Sequence, residues 1–251
     1  MTDDPDSSDR RRPTIGCVPF GVGRPLVHAI HDDDADVVLA PPRKLVAMLR
    51  EGSLDAALVS SIEGFRQPGY RALNDLGIWA DGRVGSVRAF RRKNCARIDT
   101  VGLDDGSETS VALTRILLRR DAFGPARADA AIDRIDPQEP LDARSEDLVL
   151  LIGDAGQTAQ SDHYAPFDLG ELWTEWTGLP FTFALWLIRP DVDARPIADL
   201  LRRAGRAAPE PPSDTGVRYD LGPSALEGLQ RFALEAARLD LCEAGLRPEL
   251  I

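Results

Sequence analysis

The chain has 251 residues, with 30 Lys and Arg side chains against 41 Asp and Glu side chains, which gives a formal net charge of −11. This length allows one large or two small domains, each with its own core. The acidity argues against nucleic acid or anionic membranes as partners, because phosphates and acidic lipids attract clustered positive charge. Nearly all basic residues are arginine, so we expect any bound anion to be held by guanidinium or backbone N–H groups.

The cysteines and the N-terminal composition bear on the cellular compartment. Cys17, Cys95 and Cys242 are far apart, which favours neither a disulfide framework nor a zinc site, and the three histidines show no metal-ligand spacing. Residues 1–13 are rich in Asp, Ser and Arg without an apolar stretch of signal-peptide length, and we interpret them as a disordered tail. No apolar run approaches the roughly 20 residues that cross a bilayer. We therefore predict a cytoplasmic protein without a metal site.

The first third of the chain alternates between short apolar segments and helical segments. This alternation is typical of a parallel sheet with helices on its faces. Helices are predicted to open at Pro25 and to run from Pro41 to Leu49. The predicted strands are Thr14–Phe20, Asp36–Ala40 and Leu54–Val59, followed by two longer strands, Ala72–Trp79 and Val84–Arg91.

The alternation restarts near Ile98, which predicts a second lobe. Its predicted strands are Thr100–Leu103, Ala128–Ile132, Leu148–Ile152 and Pro180–Ile188. The predicted helices are Ser110–Arg119, Leu169–Trp176, Pro196–Ala204 and an amphipathic Ser224–Gly245. We expect an α/β protein with residues 14–91 and 187–251 in lobe 1 and residues 92–186 in lobe 2. The long strands at each changeover are the expected crossings.

Polar residues gather where predicted strands give way to helices, and open α/β sheets place their ligands at such ends. Ser107, Thr109 and Ser110 precede one helix, where hydroxyl and free N–H groups suit a carboxylate, although N-capping alone would explain them equally well. The segments 21–24, 60–61 and 153–154 repeat this arrangement. Four such junctions favour a cleft that holds a small anion.

The roles of individual residues near these junctions stay open at this point. Asp154 suits either a base or a partner for turn amides, and Arg24 is either a cleft cation or ordinary surface charge.

Several segments, taken in order, resemble the menaquinone-biosynthesis family that includes chorismate dehydratase and dihydroxynaphthoate synthase. The resemblance covers nearly the whole chain after the tail and is greater to the chorismate dehydratase branch. The segments are CVPFGVGRPL, LDAALVSSIEGF, GSVRAF, GSETSVALTRILL, LLIGDA, FDLGELWTEWTGLPFTFALW and YDLG.

The resemblance implies a fold like type II periplasmic binding proteins, with the ligand cleft between two lobes. It also implies a hydro-lyase that removes water from chorismate to give 3-[(1-carboxyvinyl)oxy]benzoate in the futalosine route to menaquinone. The enzyme would orient the dianion, assist removal of a ring proton and donate to the leaving hydroxyl, without a cofactor. The implied partner is a small carboxylate, and the oligomeric state stays open, with a homodimer as one option.

Position by position, the resemblance implies catalytic roles for Ser86 and Asp154. It implies substrate-binding roles for Ser107, Thr109, Ser110 and Gly153. With the junction residues Arg24 and Ser61, and Val22 where the family has an asparagine, these are the predicted substrate-binding residues.

The opening segment departs from the family pattern S-Y-L-N, because Pro19 and Val22 replace the serine and the asparagine. Valine neither donates nor accepts a hydrogen bond, and losing a positioned donor commonly costs about 10²–10³ in rate. Three functions therefore stay open: a weakened chorismate dehydratase, a related elimination on another cyclohexadienyl or enolpyruvyl acid, and a non-catalytic protein that binds a small carboxylate.

Overall fold

The computed structural model describes residues 11–19, 21–211 and 215–251, which form an α/β fold with two separate sheets. The strands are β1 Thr14–Cys17, β2 Asp36–Leu39, β3 Ala56–Ser60, β4 Arg71–Ala80, β5 Val87–Arg92, β6 Ile98–Leu103, β7 Ala126–Arg134, β8 Leu148–Ile152, β9 Tyr164–Asp168, β10 Phe181–Ile188, β11 Val217–Asp220 and β12 Glu249–Leu250. The helices are α1 Pro42–Glu51, α2 Glu108–Leu118, α3 Asp154–Thr158, α4 Leu169–Thr177, α5 Ala194–Ala207 and α6 Pro223–Ala237, with short 3₁₀ helices at Arg24–Val27, Ser61–Phe65 and Leu141–Ala143.

The first sheet carries lobe 1 and is built from both ends of the chain. Its strand order is β11-β4-β10-β3-β1-β2, and β12 pairs with β4. β1 is parallel to β2 and β3, as the alternating pattern predicts. β10 lies antiparallel between β3 and β4, so the chain that returns from lobe 2 forms a central strand of this sheet.

The second sheet carries lobe 2, with the order β7-β6-β8-β5-β9. β6 is parallel to β7 and β8, whereas β5 is antiparallel to β8 and β9. The carboxyl ends of β6 and β8 and the start of β5 therefore lie at one edge of this sheet. That edge faces the first sheet and supplies polar residues to the cleft.

The sheet memberships correct the predicted lobe boundaries. β5 belongs to the second sheet although residues up to 91 were expected in lobe 1, and β10 belongs to the first sheet although residues up to 186 were expected in lobe 2. The physical reason is backbone pairing, which apolar patterning along a strand does not reveal. The chain changes lobes in the short connections after Ala80 and after Thr177.

Helix termini follow local chemistry. α1 has Pro42 at its first position and ends at Gly52, whose φ of +83° suits glycine. Ser107 caps α2 by accepting a hydrogen bond from the backbone N–H of Ser110. Asp168 caps α4, accepting from the N–H groups of the first helical turn. These caps set where each helix presents its N-terminus.

The structure also differs from the prediction at α6, β9 and β11. α6 ends at Ala237 rather than Gly245, and the following residues form turns. β9 and β11 were not predicted, because each is a short strand with polar residues, and in β9 a proline, whose pairing partners are distant in sequence.

The predicted tail falls mostly on residues 1–10, which lie outside the described residues. The described end of that segment is bonded to lobe 1: Arg11 donates to the Asp55 carboxylate at 2.6 Å, and Pro13 accepts from the N–H of Asp36. Within the described ranges, no helix is both long and apolar enough to cross a membrane.

Candidate active site

A cleft of about 420 Å³ lies between the two sheets. Its wall on the lobe 1 side is almost wholly apolar, since Ser60 is the one polar side chain there among the described residues. The apolar lining residues of that wall are Val18, Val22, Pro42, Leu58, Val59, Ile78, Phe183, Ala184 and Val217.

The wall on the lobe 2 side carries the polar groups. They are Ser86, Asp104, Asp105, Gly106, Ser107, Ser110, Gln138, Gly153 and Asp154. The cleft therefore suits a ligand with an apolar ring face and polar groups on the opposite side.

The N-terminus of α2 faces this cleft and offers hydrogen-bond donors. Ser110 is fully buried, and its side-chain hydroxyl makes no hydrogen bond to any other described residue. Ser107 Oγ lies 3.4 Å from Ser60 Oγ across the cleft. Because buried polar groups are normally paired, the free hydroxyl of Ser110 indicates a place for a ligand acceptor. Free N–H groups at the same helix end make that acceptor most favourable as an anion.

Ser86 lies at the start of β5 and is held by backbone contacts on two sides. Its carbonyl accepts from the N–H of Gly153 at 2.8 Å. The residues just before it donate to the Asp168 carboxylate, Val84 N at 3.0 Å and Gly85 N at 2.7 Å. The Ser86 hydroxyl has no partner within the described ranges and is available to a ligand.

Gly153 and Asp154 close the cleft from the end of β8. Gly153 has a φ of +65°, a conformation that other residues rarely adopt, which explains a glycine at this turn. The Asp154 side chain lines the cleft and forms neither an ion pair nor a hydrogen bond with another described residue. Of the two roles considered for Asp154, bonding to turn amides is not observed, which leaves its carboxylate free.

Asp104 is a cleft carboxylate that the sequence did not single out. It is 4% exposed, and its two oxygens accept from Gly106 N at 2.8 Å and Ile152 N at 2.9 Å. Burial raises its pKa, while these backbone bonds oppose the rise. Asp104 thereby links the loop before α2 to the end of β8. The signal in the sequence was an acidic pair directly after the strand ending at Leu103.

Three predicted site residues do not line the cleft. Ser61 and Thr109 are fully buried, and their hydroxyl oxygens lie 3.2 Å apart. Thr109 also accepts from the N–H of Ile62, and Ser61 donates to the carbonyl of Thr182. Arg24 is exposed on a 3₁₀ helix and does not line the cleft. Helical geometry turns Thr109 away from the neighbouring Ser107 and Ser110.

Guanidinium and backbone N–H groups were the two kinds of anion-binding group expected, and the described part of the cleft lining contains only the second. Among the described residues, no Lys, Arg or His side chain lines the cleft, whereas Asp104, Asp105 and Asp154 do. At the rim of the cleft, next to the lining residue Pro42, Arg43 Nη1 of α1 lies 2.6 Å from Asp105 Oδ2. An anion bound inside the cleft would therefore be held by neutral donors.

Comparisons with known proteins agree with this architecture. Chorismate dehydratase of Thermus thermophilus is 30% identical over 203 residues, covering 72% of this chain and 72% of that protein. A solved protein of Archaeoglobus fulgidus superposes with a TM-score of 0.67 at 14% identity, covering 92% of this chain and 98% of its own. The periplasmic aliphatic sulphonate binding protein of Escherichia coli gives a TM-score of 0.56 at 12% identity, covering 95% and 96%. These two structures share the two-lobed binding-protein fold.

The family assignment rests on a match over most of the chain. A family model described as menaquinone biosynthesis matches residues 13–215. Together with the two-lobed fold and the polar cleft, this match means that the chain belongs to the menaquinone biosynthesis family.

Proposed function

We propose that this protein removes water from chorismate to give 3-[(1-carboxyvinyl)oxy]benzoate, in the futalosine route to menaquinone. The proposal is supported by the family membership and by the relative named chorismate dehydratase. The observation that carries it is the amphipathic cleft, in which an apolar wall faces hydroxyl groups and the α2 N-terminus. A cyclohexadiene ring with carboxylates fits this pattern.

The proposed binding mode starts from the free donor. One carboxylate of chorismate accepts from Ser110 Oγ and from the free N–H groups of α2. The ring packs against the apolar wall that includes Val22 and Phe183. This orientation presents the ring edge to the polar wall, where Ser86 and Asp154 lie.

The elimination needs one proton removed and one hydroxyl group expelled. In our proposal Asp154 accepts the ring proton, because its carboxylate is free and lines the cleft. Ser86 donates a hydrogen bond to the departing hydroxyl, which leaves with the electron pair of the C–O bond, takes up the proton that Asp154 accepted and departs as water. The electron pair of the broken C–H bond enters the ring, and aromatisation drives the reaction. Atoms balance as one water molecule lost for each chorismate.

A second candidate is favoured by Val22. This side chain lines the cleft where the resemblance leads one to expect an asparagine, so a substrate with an apolar group at that point would fit better than chorismate. The candidate is an elimination on a related cyclohexadienyl or enolpyruvyl acid, or binding of a small carboxylate without chemistry.

Incubation of the purified protein with chorismate, followed by chromatography, tests the first proposal. We expect the carboxyvinyloxy benzoate to form faster than in buffer alone, and Asp154→Asn to slow its formation. Glu175→Gln is the control, because Glu175 is an exposed acidic residue on α4 that does not line the cleft. Product formation at the spontaneous rate would refute the dehydratase and favour the second candidate.

A further inference from the structure

We propose that Arg43 receives the second carboxylate of a dicarboxylate ligand and so sets the preference of the cleft for dianions over monoanions. This inference rests on the proposed function, because it assumes that one carboxylate is already bound at α2. It identifies a specificity-determining residue at the rim, on the opposite lobe from the other polar groups.

The charge distribution inside the cleft disfavours a second anion there. Asp104, Asp105 and Asp154 line it, and no basic side chain of the described residues does. A second carboxylate placed beside these groups would be repelled at close range in a partly buried site. The favourable place for it is the rim, where positive charge begins.

On the lobe 1 side, the rim of the cleft is formed by the N-terminus of α1, which is the positive end of the helix dipole. Pro42 lines the cleft, and Arg43 and Lys44 follow it in the first helical turn. That turn contains no acidic residue, and the helix has no side-chain cap. Cations at a helix N-terminus are unfavourable with the helix dipole, so an anion from elsewhere is needed to stabilise them.

In the structure, the Asp105 carboxylate is this anion. Its Oδ2 lies 2.6 Å from Arg43 Nη1, and this ion pair connects lobe 2 to lobe 1 across the rim. Both side chains stay accessible, at 65% for Arg43 and 37% for Asp105. An incoming carboxylate can therefore compete with Asp105 for the guanidinium without opening a buried pair.

Two stable aromatic acids separate the roles: benzoate carries one carboxylate, and isophthalate carries a second one on the same ring. We expect calorimetric titration to show that isophthalate binds the unmodified protein more tightly than benzoate does. Arg43→Gln should weaken isophthalate binding about fivefold, near the upper end for an exposed ion pair, and leave benzoate binding nearly unchanged. High salt should reduce the advantage of isophthalate.

Two further variants distinguish an anion receiver from a structural link between the lobes. Asp105→Asn frees Arg43 and removes a negative charge, so it should strengthen isophthalate binding. A purely structural pair would make Arg43→Gln and Asp105→Asn shift the affinity in the same direction. Lys44→Gln is the matched control, since it removes one charge from the same helical turn without losing an ion pair with a cleft residue.

The proposal is overturned if isophthalate binds no better than benzoate, if the two rim variants act in the same direction, or if Lys44→Gln matches Arg43→Gln. Chorismate turnover is measured separately. Absence of turnover with the expected pattern of binding would overturn the dehydratase proposal alone, whereas turnover without that pattern would overturn the role of Arg43 alone.

Discussion

Ser61 Oγ lies 3.2 Å from Thr109 Oγ1, and this contact joins the two lobes in the fully buried layer behind the cleft. Thr109 uses the same oxygen to accept the N–H of Ile62 at 3.2 Å. The next residue of α2, Ser110, instead leaves its buried hydroxyl free at the cleft. Two neighbouring residues at one helix N-terminus therefore differ: Thr109 makes an interlobe contact, and Ser110 leaves a hydroxyl at the cleft, where we propose that it binds a ligand.

We expect Thr109→Val to lower the free energy of unfolding by about 1–3 kcal/mol. Valine keeps the shape of threonine, but the buried N–H of Ile62 loses its acceptor and Ser61 loses a partner. Urea denaturation measures the change. An unchanged midpoint would show that the interlobe hydrogen bonds contribute nothing to stability.

Ser110→Ala should weaken ligand binding and leave the stability of the protein nearly unchanged. Its hydroxyl has no partner among the described residues, so removing it should leave the free energy of unfolding within about 0.5 kcal/mol of the original value. Affinity for benzoate should fall at least about tenfold, because a hydrogen bond to a charged group contributes about 1.5–3 kcal/mol. Equal benzoate affinities by calorimetry would remove Ser110 from the binding site.

Ser86→Ala should reduce kcat for chorismate by about 10²–10³ with a small change in KM. The hydroxyl is proposed to stabilise the departing group, an interaction that is strongest in the transition state. Steady-state kinetics give both constants. A large rise in KM at constant kcat would instead identify Ser86 as a binding group.

Val22→Asn should increase chorismate turnover by at least about tenfold if the missing polar group limits the rate. Val22 is half-buried on the apolar wall, so the new amide faces the ligand. Val22→Leu is the matched control for side-chain size and should not raise the rate. If the asparagine variant is no faster than the leucine variant, the cleft is adapted to a different substrate.

The free energy of unfolding should fall as the pH rises from about 9 towards 12. Burial raises the pKa of Cys17 from 9.0 to about 12, and burial together with the nearby Glu63 carboxylate raises that of Tyr70 from 10.0 to about 12. The unfolded chain releases these protons at lower pH than the native protein does. Stability from these groups is thus complete below pH 9 and decreases by up to about 1.4 kcal/mol per pH unit for each group.

Urea denaturation between pH 8 and pH 11 measures this slope. Cys17→Ala and Tyr70→Phe should each flatten it, because neither replacement side chain ionises. If both variants keep the slope of the unmodified protein, other groups cause the loss of stability at alkaline pH.

Local chemistry predicted much of the first half of the fold. Apolar segments bounded by proline and glycine predicted β1 to β4 and α1 nearly in place. The buried strands β1 and β3 are parallel, and such strands carry continuous apolar runs. The long apolar strand β10 was predicted too, although the lobe to which it belongs was not. Strand identity depends on local pattern, whereas sheet membership depends on hydrogen bonds between segments about 100 residues apart.

The candidate site divides in the same way. Ser107, Ser110, Gly153 and Asp154, predicted from strand–helix junctions, line the cleft, and so do Ser86 and Val22, which the resemblance singled out. The sequence could not show that Thr109 faces away from the cleft while Ser107 and Ser110 face it, because that depends on how the start of α2 packs against lobe 1. It also did not predict the roles of Asp104 or Arg43, whose partners are an amide 48 residues away and a carboxylate 62 residues away.

The sequence by itself therefore determined three things: the acidic two-lobed α/β architecture, the resemblance to the menaquinone biosynthesis family, and the polar residues at the ends of strands. The tertiary structure alone decided which of those polar groups face the cleft, where the lobes begin and end, and where positive charge lies. The reason is that composition and periodicity record what each segment buries, while the position of a charge relative to a ligand depends on how distant segments pack together.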